Sequence, residues 1–219
     1  FDASAEVALG KRLHEIDNEI TGETTAAFEP AIDYVVTKVP RWPIDKFDDV
    51  DFELGTAMKS TGEAMSIGRT FEESLLKALR STEYDPAVDP VDVDDGTLGD
   101  EYLAKPTPDR PYAIFEAFDR GYSVDDVVDL TGIEEWYVER FARISEAVAD
   151  AAGGDFTDAA IKGVTNAEIA STAGADVGTV ETAVPGRTYK QVDTCAGEFA
   201  AETPYYYSSR KPEFYSGPL

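Results

Sequence analysis

Thr56-Ala-Met-Lys-Ser-Thr-Gly-Glu-Ala-Met-Ser-Ile-Gly-Arg-Thr70 reads as a strand, a glycine turn and the start of a helix. Residues 56–67 form the strand candidate. Thr70-Phe-Glu-Glu73 then has capping-box spacing, with Thr70 as the cap and Glu73 reaching back to it. Phe71, Leu75 and Leu79 recur every four residues, which marks the buried face of a helix running to about Arg80.

Upstream, Val7, Leu13, Ile16 and Ile20 fall near helical spacing, so residues 3–20 read as a helix that Thr21-Gly22 stops. Residues 31–39 read as a strand. Ile32, Tyr34, Val35, Val36 and Val39 put apolar groups on both of its faces, which predicts burial on both sides, and Pro40 and Pro43 should end it. Downstream, Asp85, Pro86, Asp89, Pro90, Asp92, Asp94, Asp95 and Gly96 cluster, with Pro106 and Pro108 following. Residues 84–108 therefore read as a loop or linker at a domain boundary.

Residues 109–183 read as all helical. Tyr112, Phe115 and Phe118 recur at threes. Ser123 caps a short helix carrying Val124, Val127 and Val128, and Thr131-Gly132 turns the chain. Tyr137, Phe141, Ile144 and Val148 set the stripe of a longer helix that Gly153-Gly154 stops. The pattern recurs with the capping box Thr165-Asn-Ala-Glu168 and the turn Ala173-Gly174. Gly132 and Gly174 each lie nine positions after their caps, which predicts two related helix-turn-helix units packed together. Residues 187–209 return to extended character, as short strands or a strap over the helices. Pro212 and Gly217-Pro218 read as a connector.

The chain has 219 residues and a net charge of −25, from 44 acidic and 19 basic residues. Such a surface repels nucleic-acid phosphates and anionic membranes. The acids are spread along the chain, so they read as a solvated coat rather than a tail, and a salty cytoplasm that screens them is the expected setting. No run of about 20 apolar residues suggests a membrane span. Phe1-Asp-Ala-Ser has neither an initiator Met nor a signal pattern, so the expected reading is a piece of a longer chain. Cys195 is the single cysteine, which rules out an internal disulfide and fits a cytoplasmic location.

The opening stretch, together with Phe28-Glu-Pro-Ala-Ile-Asp-Tyr-Val-Val-Thr-Lys-Val-Pro-Arg41 and Tyr189-Lys-Gln-Val-Asp-Thr-Cys-Ala-Gly-Glu-Phe199, closely resembles the large subunit of carbamoyl phosphate synthetase. The resemblance is strong over residues 20–83 and 187–207, good over 109–145, and weak over 84–108 and 150–186. It implies an α+β chain: residues 1–83 closing an ATP-grasp unit, an acidic Pro-rich linker over 84–108, a helical oligomerisation domain over 109–209, and a connector over 210–219. It further implies a parent ligase that makes carbamoyl phosphate from bicarbonate, glutamine-derived ammonia and two ATP, for arginine and pyrimidine synthesis. That parent would use ATP, Mg or Mn, and K, and would work with a glutaminase small subunit, the rest of the large subunit and further copies of itself. This stretch holds no glycine-rich nucleotide loop and no paired Glu/Asn magnesium site, so no catalytic, cofactor-binding or metal residue is assigned to it.

By residue-for-residue match the resemblance places Met58, Thr61 and Glu63 along the carbamate tunnel, although Thr61 stands where a hydrophobic residue is expected. The competing readings are plain. Met58 and Met65 would be core filler, and Glu63 a structural salt bridge. Arg69 could hold an anion at the helix start, but pairing with a neighbouring acid is favoured. His14 reads as a surface residue, Cys195 as a buried thiol, and Trp42 and Trp136 as packing residues. Trp136, Tyr137 and Phe141 are the candidate interface, since one helix cannot point all three at the same core. Two rival functions compete with this reading. A DNA-reading helix would start at Glu134-Glu135-Trp136 with Arg140 and Arg143 as its bases, and two acids facing phosphate on a −25 chain argue against it. A free-standing helical interaction protein is the other, and the order of the matching stretches argues against that.

Overall fold

The computed structural model describes residues 2–19, 22–29, 32–42, 53–83, 92–193 and 203–211. Cys195, Ile20, Pro43 and the residues 84–91 lie outside them. Helix α1, Asp2–Ala8, is followed by a 3₁₀ turn at Leu13–Glu15. The sequence predicts one helix through residue 20, and Gly10 is where it fails. Its φ of +102° takes the backbone out of the helical region. Val7 and Leu13 are exposed as a result, and Ile16 alone among the described residues of that stripe is buried. His14 lies on the surface.

Strands β1, Val35–Arg41, and β2, Gly62–Gly68, form an antiparallel pair in which Val36 faces Ile67, Lys38 faces Met65 and Pro40 faces Glu63. Only one face is covered, not the two that the apolar run predicts. Residues with the parity of Thr37 and Val39 turn inward: the Thr37 and Ser74 hydroxyls meet at 2.5 Å, and Val39 packs on the core. Pro40 sits inside the strand instead of ending it. Its missing N–H costs nothing on an edge, and β1 has a single neighbour among the described residues.

Helix α2, Phe71–Ser81, begins as its cap predicts: the Thr70 hydroxyl accepts from the Glu73 amide. The Glu73 carboxylate reaches one residue further back than a capping box would take it, accepting from the Arg69 amide at 2.9 Å. It also accepts from the Ser209 hydroxyl at 2.9 Å and lies 2.9 Å from the Lys77 ammonium, while being only 3% exposed. Lys77 Nζ then donates to the carbonyls of Ile67 and Ser208. One buried ion pair thus ties three segments that are distant in sequence. Glycine is required beside it: a Cβ on Gly68 would lie 2.8 Å from the Ser74 amide nitrogen, and one on Gly163 would lie 3.1 Å from the Glu73 Cα.

The segment read as a linker is helical in its described part. Asp94 caps a turn, α3, at Asp95–Thr97, which continues as a π-helix over Leu98–Leu103. Leu98 and Leu103 are both fully buried. Helix α4, Arg110–Asp119, buries Ala113, Ile114 and Ala117 rather than the predicted rings; Phe115 and Phe118 are half-buried at its side. The two predicted units follow. Helix α5, Val124–Thr131, is capped by Ser123 and leads into α6, Glu135–Ala152. After α7, Thr157–Ile161, helix α8, Asn166–Ala173, is capped by Thr165 and leads into α9, Val177–Ala183. Both boxes close reciprocally, and Gly132 and Gly174 adopt left-handed conformations at φ +66° and +61°. A short antiparallel pair, β3 at Thr188–Gln191 and β4 at Tyr206–Ser209, finishes the described fold. It docks on β2 and, through Ser208 and Ser209, on α2; the Lys190–Asp33 ion pair and the Tyr34–Tyr207 ring contact also hold it.

One hydrophobic core runs from Leu75 of α2 through Leu98, Ile114, Val138 and Ile169 to Val184. The architecture is α+β, with small sheets beside a helical body. No helix among the described residues is long and apolar enough to cross a membrane.

Candidate functional site

The outer face of the β1–β2 pair is the first candidate. Because side chains alternate along a strand, Val36, Lys38 and Pro40 share this face with Glu63, Met65 and Ile67. The Glu63 carboxylate lies 2.7 Å from Lys38 Nζ, with both side chains more than half exposed. Glu63 thus makes a salt bridge on the open face of the pair. Met65 is 65% exposed and Met58 91%, so neither fills the core. Thr61 lies just before β2, where its amide donates to the Arg41 carbonyl. The structure thus groups Glu63 and Met65 on one open face, with Thr61 at the strand's entrance and Met58 in the exposed loop leading to it.

Arg69 makes no ion pair among the described residues. Its guanidinium lies near the phenol of Tyr207 in β4. Burial pushes the Tyr207 phenol above its ordinary pKa, while the Arg69 charge opposes that shift. Trp42 is half-buried in a cleft of about 260 Å³ with Leu54, Pro106, Pro108, Tyr112 and Ile133.

The second candidate is the start of α6. Trp136 and Tyr137 stand nearly perpendicular, 5.0 Å apart, and the Phe71 ring of α2 lies 5.5 Å from each. Arg140 stacks on Trp136, its guanidinium carbon 4.6 Å from the ring centroid, and its nitrogens lie 3.8 Å from Glu72 and 3.7 Å from Glu139. Trp136 remains 46% exposed and Tyr137 45%. Phe141 does not join them: it is 7% exposed and packs on Phe115, 4.9 Å between centroids. The buried stripe of α6 is Val138, Phe141, Ile144, Ala147 and Ala151, so the sequence reading was one residue off at its first turn. Phe71, Glu72 and Arg140 were missed as members of this cluster. The i, i+4 spacing of Trp136 and Arg140 was the available signal.

Residues 63–184 match the family model described as "Carbamoyl-phosphate synthetase large chain, oligomerisation domain". The chain belongs to that family. It is 67% identical over 211 residues to a carbamoyl phosphate synthase large chain of Halobacterium salinarum, covering 94% of this chain and 20% of that one. It is 45% identical over 215 residues to the large chain of Methanoregula boonei, again covering 20% of the relative. It is 42% identical over 238 residues to the Methanopyrus kandleri "Carbamoyl phosphate synthase large chain, N-terminal section", covering 42% of it. The chain therefore spans about a fifth of the full-length large chains it matches.

Proposed function

We propose that these residues serve as scaffold and subunit contact within a glutamine-dependent carbamoyl phosphate synthase. That enzyme would form carbamoyl phosphate from bicarbonate, glutamine-derived ammonia and two ATP, feeding arginine and pyrimidine synthesis in the cytoplasm. The observation that carries the reading is the match of residues 63–184 to the oligomerisation domain, continued by 67% identity to one large chain along nearly the whole sequence. In this reading residues 1–83 close the first ATP-grasp unit, and the open β1–β2 face, with Glu63, Met58 and Thr61 near it, forms part of the carbamate tunnel wall. The remainder of the large subunit would cover that face, and a glutaminase small subunit would supply ammonia. ATP, Mg or Mn, and K belong to the parent enzyme. Among the described residues no group of three or more His, Cys, Asp or Glu side chains could hold a metal ion.

The test is a chimera. The corresponding stretch of the Halobacterium salinarum large chain is replaced by these 219 residues. Carbamoyl phosphate synthesis should persist. Glu63→Ala in the chimera should leave bicarbonate-dependent ATP hydrolysis in place while lowering carbamoyl phosphate formed per ATP, as carbamate escapes. A chimera that hydrolyses ATP and couples it normally with Glu63→Ala would remove the tunnel role; one that assembles normally when residues 63–184 are deleted would remove the scaffold role.

The acidic coat points to a salt-rich setting. At −25, self-repulsion acts over a Debye length of about 30 Å at 0.01 M salt and about 3 Å at 1 M. The melting temperature should climb as KCl rises from millimolar to molar. A flat or falling curve would contradict that setting.

A further inference from the structure

The outward face of α6 carries a pattern that is its own complement. Trp136, Glu139, Arg143 and Glu146 follow at spacings of three and four, so they line one stripe of the helix, opposite the buried Phe141 and Ile144. In order they offer a hydrogen-bond donor (the indole N–H), an acceptor, a donor and an acceptor. Reversed, the stripe reads acceptor, donor, acceptor, donor. Arg143 and Glu146 are exposed and make no ion pair or hydrogen bond with another side chain among the described residues. Glu139 is 43% exposed at its side chain and touches Arg140 only at 3.7 Å. The small Ala142 sits between the charges and leaves room for close approach.

Resting on the subunit-contact reading above, we propose that α6 pairs antiparallel with α6 of a second copy across a two-fold axis near residue 141. Glu139 of each copy then meets Arg143 of the other, and Trp136 of each meets Glu146 of the other. Such an isologous contact uses every interaction twice. Two bodies of charge −25 repel at long range. At physiological ionic strength a Debye length of about 8 Å screens that repulsion more than it screens pairs in direct contact.

The experiment is sedimentation equilibrium of the chain at 0.15 M KCl, with circular dichroism as the control for folding. Glu139→Arg and Arg143→Glu alone each place like charges opposite one another twice, and each should weaken self-association by about tenfold. The double variant Glu139→Arg/Arg143→Glu inverts both pairs and should return within about threefold of the parent, which loss of local structure would not do. Association unchanged by either single variant, or not restored in the double, would overturn the antiparallel pairing and leave the subunit-contact reading standing. A chain that stays monomeric at millimolar concentration would overturn both.

Discussion

The α5–α6 and α8–α9 units begin alike and end differently. Each opens with a hydroxyl cap, Ser123 or Thr165, whose partner acid three residues on, Asp126 or Glu168, closes the box. Each first helix ends at a left-handed glycine nine positions after its cap. Then α6 runs 18 residues and buries five side chains along the core, while α9 runs 7 and buries only Val180. Local chemistry sets where a helix starts and turns. How long the next helix runs, and what it leaves uncovered, depends on the rest of the molecule: α6 lies against α2, α4, α5, α7 and α8.

The largest test of that difference is in the second helices. Phe141→Ala empties a site packed against Phe115 and should cost about 3–5 kcal/mol. Val180→Ala in α9 removes less buried volume and should cost about 2 kcal/mol. Chemical denaturation of the two variants measures the gap, and equal losses would mean that α6 is not the main strut of the body. Next come the shared turns. A Cβ added at Gly132 or Gly174 meets nothing within 4 Å, so Gly→Ala at either should cost only the left-handed backbone penalty of roughly 1–2 kcal/mol. The two values should agree within error; a larger loss at Gly132 would show that α6 placement depends on its turn.

These matched starts are also what the sequence displayed best. A cap, a box acid and a terminal glycine are local signals, and both units were legible from them. The linker region was misread for the opposite reason. Asp94 and Gly96 look like turn residues, yet Asp94 is a helix cap, and Leu98 and Leu103 are five apart. Five is the spacing of a π-wound turn, here closed by the Ala104 amide on the Gly99 carbonyl, and a search at the α-helical period passes over it. Much of the core is also alanine: Ala113, Ala117, Ala147, Ala151 and Ala159 are all at most 1% exposed, and alanine carries little hydrophobic signal. The aromatic candidates were legible as a group but not individually, because facing direction at Tyr137 and Phe141 turns on one residue of helical phase. The Glu73 node was invisible, since its Ser209 partner lies 136 residues away.

A smaller effect separates the caps from the turns. Ser123→Ala and Thr165→Ala each leave a helix amide without its side-chain acceptor and should each cost about 1 kcal/mol. A substantially larger loss at one cap would break the equivalence of the two starts.

The smallest effect sharpens the comparison by pH. The Ser123 hydroxyl and amide both donate to the Asp126 carboxylate, and these bonds hold its pKa below the ordinary carboxylate value. A depressed folded-state pKa means that the charged form is favoured by folding. Its contribution is therefore fully present above the unfolded value and is lost as pH falls through the folded one. The start of α5 should loosen in acid. A titration of the Asp126 carboxyl carbon by NMR should give a midpoint below that of an unstructured aspartate, with the Ser123 amide shift following the same curve. In Ser123→Ala the hydroxyl bond is gone while the backbone bond remains, so the midpoint should move part of the way back. A midpoint unmoved by that change would assign the depression to the helix start itself, where the free amides of the first turn favour negative charge, rather than to the hydroxyl that closes the box.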